Sequence, residues 1–436
     1  MALIKPFEGL SYRLDKQEDL GKFVSPPYDM IDAAKIEALY ARDPFNVVRI
    51  IQNKPTDSDT ANKDRHQRAA ALFRQWTSQG RILRDKTPCV YIYRQTFVLT
   101  VGETVVTHTR TGAIVLVKLV DYEDGVVFPH EYTLTGPKVD RYELLRETKS
   151  HTELIFGIVP DGDRSLFSAI SNAVPAACRG SFVDENGVEH TLYCNDDPAA
   201  AASLSAVMRD KTILIADVHH RYETALRFAK ETGNPAFAFV MMNVVSMADP
   251  GLVIRAFHRV LRKYPGTGQC DVAGLLTRYF DCTDLGESTM GKVTEFLATT
   301  GGCEMLYLDS GANRLIGLSL SIEGERFLQR NARGMSAAWN RLDVSKINSI
   351  VINGLLGLPL DGATLHDVMD YVNDAAAAYR QAQADSQAIH GVFFIRPLSI
   401  ETVNAIVSGN ERMPQKSTNF FPKCYSGLVF NSMEQQ

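Results

Sequence analysis

An apolar run, Thr212-Ile213-Leu214-Ile215-Ala216, ends on Asp217-Val218-His219-His220-Arg221 and gives way to Tyr222-Glu223-Thr224-Ala225-Leu226-Arg227-Phe228-Ala229-Lys230. The first run has the β-branched and aliphatic content of a buried strand. The last places Tyr222, Ala225, Leu226 and Ala229 on one helical face. A strand therefore becomes a helix with an acid, two imidazoles and a guanidinium at the junction. The first turn of a helix carries free N–H groups and a partial positive charge, which suits a phosphate. His219, His220 and Arg221 add donors there, and Asp217 can cap the helix or hold a metal. Solvated turns also collect polar residues, but two His and an Arg directly after a buried strand are an uncommon way to make one. The pattern points to function.

Around this junction the order of strands and helices is mixed. That argues for an α+β fold, or α/β with hairpin insertions, rather than a clean doubly wound sheet. Residues 1–50 read as a short strand, a loop and a helix near 31–40, and 46–51 (Asn-Val-Val-Arg-Ile-Ile) looks like a strand. A helix is predicted over 62–78, and strands over 89–99 and 103–119 joined at Val101-Gly102-Glu103. A helix follows over 143–149, a strand over 154–160, and a hairpin across Asn186-Gly187, a strong turn signal. Then come a helix over 198–209 and a buried strand over 236–245. Beyond about residue 265 the pattern gives helices at 273–279 and 291–299, a hairpin over 304–321, and longer helices at 343–356 and 365–384. A strand at 392–395 and a helix at 399–408 precede a proline-punctuated loop. The chain thus divides into residues 1–265, which hold the chemistry, and a C-terminal α/β region of 266–436, with 410–424 able to serve as a lid.

At 436 residues, with 45% hydrophobic and 22% charged, the chain can build a large core. A formal net charge of −5 leaves no overall footprint for nucleic acid, which is not expected as a partner. The seven cysteines are scattered, odd in number and without a C-x-x-C pair, so neither a disulfide framework nor a zinc site is indicated. The N-terminus has no signal-peptide core, and apolar runs such as 236–242 are too short to span a bilayer. The expectation is a cytoplasmic protein with no membrane contact; oligomeric state is left open. There is no G-x-G-x-x-G, H-E-x-x-H or G-x-S-x-G, which argues against dehydrogenases, zincins and α/β-hydrolases.

Four further clusters could carry chemistry. Phe128-Pro129-His130-Glu131-Tyr132-Thr133 leads to Gly136-Pro137-Lys138-Val139-Asp140-Arg141. Such a turn can present Glu131 as a base while Lys138 and Arg141 meet an anion; Asp140 and Arg141 equally suit the opening of a helix. Ser25-Pro26-Pro27-Tyr28-Asp29 is a rigid turn that can preset Tyr28 and Asp29 for a ligand, or act as a plain connector. His258-Arg259 could add to an anion site, or be a surface pair. Lys416-Ser417-Thr418, with Lys423, resembles the tail of a phosphate loop but lacks the preceding glycines of a P-loop.

Together these motifs resemble a widespread bacterial and archaeal group, domain-of-unknown-function family 1015. The resemblance runs almost end to end: Lys5-Pro6-Phe7, the 25–29 turn, the 129–141 cluster, the 215–225 junction, Asp249-Pro250-Gly251-Leu252 with His258-Arg259, and Met413-Pro414-Gln415-Lys416-Ser417-Thr418 through Gly427-Leu428-Val429-Phe430. Its strongest motif is similar to the D-G-H-H-R box of free serine kinases, which have a ParB/sulfiredoxin-like nucleotide-binding core. Their P-H-E turn, whose Glu is the general base, maps onto Pro129-His130-Glu131.

The resemblance implies a phosphotransferase making O-phospho-L-serine from free L-serine, a step that feeds cysteine synthesis, with pyrophosphate (or ATP or ADP) as donor. Glu131 would be the base, and His219, His220 and Arg221 would hold the donor phosphates. Asp217 would bind Mg2+. Tyr28, Asp29, His130, Thr133, Lys138, Asp140, Arg141, His258, Arg259, Lys416, Ser417 and Thr418 would supply substrate contacts. Val218 stands where the pattern has Gly, so a Cβ sits where backbone would approach phosphate. The alternatives are a ParB-like nucleotide-binding, DNA-associated protein, a phosphatase or nuclease using the same box, and a binding protein without turnover.

Overall fold

The apolar run forms the strand Ile213–Asp217, and its neighbours bury it on both faces. Ile213 and Ile215 enter a core with Leu166, Tyr222 and Phe228. The alternate residues Leu214 and Ala216 enter a second core with Phe393 and Phe420 from the C-terminal half. This period of two explains why the run is apolar throughout rather than alternating. The computed structural model describes all residues except 16, 17, 58, 61–63, 102, 103, 132–136, 265–269, 333, 435 and 436. The turn expected at Gly102-Glu103 lies outside the described residues.

Among the described residues the fold is mixed α+β, built on two large sheets. The first has nine strands. Its order is Val127–Pro129, Ile213–Asp217, Ile155–Val159, Phe239–Ser246, Thr104–Lys118, Val90–Val101, Glu189–Asn195 and Gly180–Val183, with Ile4–Lys5 also paired to Thr104–Lys118. Two of its pairs, Ile213–Asp217 with Val127–Pro129 and Phe239–Ser246 with Ile155–Val159, are parallel. The second sheet is antiparallel throughout, in the order Phe280–Glu287, Arg314–Leu320, Met305–Asp309, Ile389–Phe394, His258–Arg262 and Met369–Val372. The strand supply changes between residues 246 and 258.

The C-terminal segment returns to the first half. Asn419–Phe421 pairs with Val253–Arg255, Ser426 bridges Ser25, Phe430 bridges Leu10, and Asn431–Ser432 pairs with Ser150–His151. Met413, Ser417, Thr418 and Phe420 are buried. Arg110, itself fully buried, donates to the carbonyls of Phe421 and Pro422 and holds this return in place.

Local expectations fail in two places, and a third helix departs from α geometry. Residues 46–51 are not a strand: Asn46 Oδ1 accepts from the Val48 N–H at 3.0 Å and starts the helix Val48–Ile51. A short apolar run has no period to separate the two forms. The single helix expected over 365–384 is two helices, Gly362–Val368 and Ala375–Ala384, around the strand Met369–Val372. Asp374 starts the second by accepting from the Ala377 N–H at 2.6 Å. The helix expected over 343–356 turns from α to π geometry at Ile347–Leu355. All seven cysteines are free thiols. No helix among the described residues is long and apolar enough to cross a membrane.

Candidate active site

The parallel register places Ile213 opposite Val127 and Ile215 opposite Pro129. Two residues further on, Asp217 is the last residue of its strand and Glu131 lies just past the end of the neighbouring one. This is the carboxyl end of neighbouring parallel strands, where open α/β sheets hold ligands.

Asp217 is followed by Val218 at φ 60°, ψ 43°, the left-handed region, from which the helix His219–Thr232 starts. A β-branched residue there is strained by roughly 1–3 kcal/mol, and burial of the Val218 side chain among Ile215 and Tyr222 works against that strain. Asp217 does not cap the helix; its Oδ1 accepts from the Val218 N–H at 2.9 Å. Its Oδ2 lies 2.8 Å from Lys423 Nζ. Burial alone would raise the Asp217 pKa, but Lys423 and the Val218 N–H hold it below the usual carboxylate range. Lys423 is opposed by burial in turn, and the carboxylates of Asp217, Asp29 and Glu131 raise its pKa. Loss of water around Asp29, and then repulsion from Asp217, push that carboxyl up. One ammonium therefore serves three carboxylates.

A histidine pair backs this corner. The His130 N–H donates to His219 Nε2 at 3.3 Å, and His130 Nδ1 lies 2.7 Å from the Ile215 carbonyl. Nδ1–H donating to that carbonyl leaves His130 Nε2 to accept from the Thr418 hydroxyl at 2.6 Å. Burial, and then the neighbouring His130, drive the His219 pKa far down, so His219 is a neutral acceptor. Glu131 Oε2 accepts from the Ser417 N–H at 3.2 Å and lies 3.6 Å from His130 Nε2. The returning C-terminal segment thus positions both the acid and the imidazole. It is itself held by Arg259, which donates to the Lys416 carbonyl at 2.8 Å.

Behind the corner lies Glu153, 3% exposed in its side chain. It accepts from Arg221 at 2.6 Å, Arg141 at 3.2 Å and the Ser426 hydroxyl at 2.9 Å. Arg221 also donates to the Leu154 carbonyl. The Tyr28 ring lies 4.1 Å from the Arg141 guanidinium and 5.3 Å from that of Arg221, and its hydroxyl is 2.8 Å from His220 Nε2.

The structure accordingly brings together Tyr28, Asp29, His130, Glu131, Asp217, His219, His220, Arg221, Ser417 and Thr418. Arg141 joins them from behind, through Glu153 and Tyr28. Asp140 is committed elsewhere, to Arg65, His66 and Arg141. His258 and Arg259 lie buried in the second sheet, and Arg259 reaches the site only through the Lys416 backbone. The exposed Lys416 places its Nζ 5.7 Å from the Phe257 ring centre. Thr133 and the Lys138 side chain lie outside the described residues. Sequence reasoning noted Lys423 only as a companion of Lys416-Ser417-Thr418, without a role at this corner, and did not single out Glu153. The available signals were a lysine following Phe421-Pro422 and an acid standing immediately before a buried strand.

A family model described as a protein of unknown function, DUF1015, matches residues 4–345. The chain belongs to the DUF1015 family. No curated protein matches this DUF1015 chain. Among solved structures, a free serine kinase in complex with AMP is similar at 11% identity, covering 73% of this chain and 91% of that one, with a TM-score of 0.35. SbnI with a C-terminal truncation, from Staphylococcus aureus, is similar at 10% identity over 74% and 90%, with a TM-score of 0.37. A conserved hypothetical protein from Pyrococcus furiosus is similar at 10% over 72% and 93%, with a TM-score of 0.34.

Proposed function

We propose that this DUF1015 chain is a phosphotransferase that phosphorylates free L-serine, built on a ParB/sulfiredoxin-like core. The observation that carries the reading is the shared corner: Glu131 and Asp217 leave adjacent parallel strands and face one ammonium, Lys423. Phosphoryl transfer asks a protein mainly for positioning and charge neutralisation. Glu131 takes the proton as the serine hydroxyl oxygen bonds to phosphorus, and the bond to the leaving phosphate oxygen breaks. The Ser417 N–H holds Glu131 for that task. Lys423 offsets the charge of the donor phosphates. His219 and His220 line the helix start, and Asp29 faces the ammonium of the amino acid. Arg221, committed to Glu153 and the Leu154 carbonyl, positions Tyr28 and His220 rather than meeting phosphate directly.

Asp217, kept ionised by Lys423 and the Val218 N–H, offers the hard carboxylate oxygen that Mg2+ takes alongside phosphate oxygens, so it fits that ion. When bound, Mg2+ would neutralise phosphate charge.

The test is purified full-length chain with Mg2+, L-serine and pyrophosphate, ATP or ADP in turn. O-phospho-L-serine forming with one donor supports the proposal. Phosphate released without phosphoserine makes water the acceptor, and no turnover with any donor removes the kinase reading.

A further inference from the structure

The strand His258–Arg262 sends its side chains to two different cores. Leu261 enters the one that holds Met413 and Phe420, and Val260 enters another with Val293, Ala378 and Phe394. His258, two residues before Val260, faces that second core, its ring 5.3 Å from the Phe394 ring. Arg259 faces the other way, towards Lys416. On the His258 side the helices Met290–Ala298 and Ala375–Ala384 cover the sheet. Residues of both line a cavity of about 450 Å³, within the range of about 300–1,000 Å³ typical of small-molecule sites.

Its walls are largely hydrocarbon. Met290, Thr294, Leu297 and Ala298 recur at the spacing of one helical face, and Thr294 turns its hydroxyl back to the Met290 carbonyl. Leu99, from the first sheet, and Ile395 stand on other sides. The polar lining is of one kind. His258 is 4% exposed, and its Nδ1 accepts from the Ile395 N–H at 3.4 Å. Burial, and then the Arg259 charge, hold the ring at about 4, so it is neutral and Nε2 carries the proton. That N–H has no acceptor among the described residues and is not sealed from the cavity. The Arg255 guanidinium lies 5.1 Å from the Phe421 ring centre and pairs with no acid among the described residues. Ala375 and Ala376, in the first turn of their helix, bring N–H groups without acceptors. Asp374, the one acid on the lining, is exposed, and its Oδ1 is taken by the Ala377 N–H at 2.6 Å.

A buried imidazole N–H, an unpaired guanidinium and the free start of a helix all call for an acceptor, and together they call for an anion. An ammonium offers nothing to these donors. A bare inorganic anion leaves the hydrocarbon walls against water. We propose that this cavity binds a small hydrophobic monocarboxylate, its carboxylate between Arg255 and the His258 Nε2–H at the start of the helix Ala375–Ala384, its tail against Leu99, Met290 and Leu297. The site lies across the sheet from Arg259 and the Glu131–Asp217–Lys423 corner, and it does not depend on the activity assigned there.

Calorimetric titration of the full chain decides it, with hexanoate, 4-methylpentanoate and 3-phenylpropanoate as probes. The matched controls are hexan-1-ol, which lacks the charge, hexylamine, which reverses it, and inorganic phosphate, which lacks the tail. Saturable binding of at least one carboxylate is expected, and each control should bind about tenfold or more weakly. The same loss is expected in Arg255→Met, which keeps the stem of a half-buried side chain and drops its charge. It is expected again in His258→Asn, which can still accept from the Ile395 N–H but has no Nε2. Thermal unfolding of each variant checks the fold. Binding should persist in Glu131→Gln. The proposal fails if no carboxylate gives heat up to about 10 mM, if a control binds as well, if a folded Arg255→Met binds unchanged, or if Glu131→Gln abolishes the heat.

Discussion

Asp217 Oδ2 and Lys423 Nζ, from opposite halves of the chain, lie 2.8 Å apart. The pair fixes the charge state of the corner: the ammonium keeps the carboxylate ionised, and the carboxylate keeps the ammonium protonated. Lys423→Met should leave the partly buried Asp217 without its cation. We expect a loss of about 1.5–3 kcal/mol in stability, together with a higher donor KM and a lower kcat. Lys423→Arg should recover stability more fully than turnover. Urea unfolding and steady-state kinetics on the same samples check both, and unchanged donor kinetics in a folded Lys423→Met would remove Lys423 from the donor site.

Glu131→Gln keeps the shape of the side chain and its contact with the Ser417 N–H but cannot accept a proton. Turnover of serine should fall by about 10²–10⁴-fold while donor affinity stays near that of the parent. Near-normal turnover would assign the proton transfer to another group.

Glu153 accepts from two guanidiniums that are almost wholly enclosed. Replacing it with Ala leaves Arg221 without its carboxylate and Arg141 with Asp140 alone, and releases Tyr28. A loss of about 3–5 kcal/mol is expected in chemical unfolding. An effect below about 1 kcal/mol, the size typical of a surface pair, would show that Arg141 and Arg221 are held by other means.

How much of this was legible in the sequence follows distance along the chain. The Ile213–Asp217 strand, the His219–Thr232 helix and the hairpin across Asn186-Gly187 are written in local periodicity and turn residues. Asp217 was legible at the end of its strand and Glu131 on its proline-led turn, and the parallel register of Val127–Pro129 with the Asp217 strand then aligns them. Lys423 was visible only as part of a phosphate-loop-like cluster and Glu153 not at all, since the pairing of each depends on what a distant segment brings to it. The Met369–Val372 strand was masked by the alanine-rich helix after it, and only its pairing with His258–Arg262 stabilises it as a strand. Arg259 looked like an anion contact because a guanidinium says nothing, in sequence, about the direction it faces.

Stability should fall as the solution is acidified from neutrality. Burial holds His151 and His258 at about 4 and His219 well below its ordinary value. In the unfolded chain each titrates near ~6.5. Above that pH neither state takes the proton and nothing changes. Below it the unfolded chain binds protons that the native imidazoles refuse, so unfolding is favoured by about 1.4 kcal/mol per pH unit for each imidazole until the native value is reached. Asp217 is depressed in the other sense, so its stabilisation persists until the pH falls below the carboxylate range and does not oppose the trend. Urea midpoints should be level between about pH 7 and 8 and clearly lower at about pH 5. Equal midpoints at all three would contradict the neutral burial of these rings.

Val218→Gly removes a buried isopropyl group, a change that would ordinarily cost about 2 kcal/mol or more. It also relieves the left-handed strain at φ 60°. The two should offset to within about 1 kcal/mol in thermal or urea unfolding. A full cavity-sized loss would show that the strain is small.

The return of residues 413–432 across the first sheet has a consequence for biogenesis. The strands that carry Glu131 and Asp217 leave the ribosome long before Lys423, Ser417 and Thr418 exist. A nascent chain can therefore form its first sheet with the acids in place but their cation missing. Competence arrives in one late step, when the tail is threaded home. A chain cut short before that point lacks both the cation that faces Asp217 and the Phe420 side of the core under its strand.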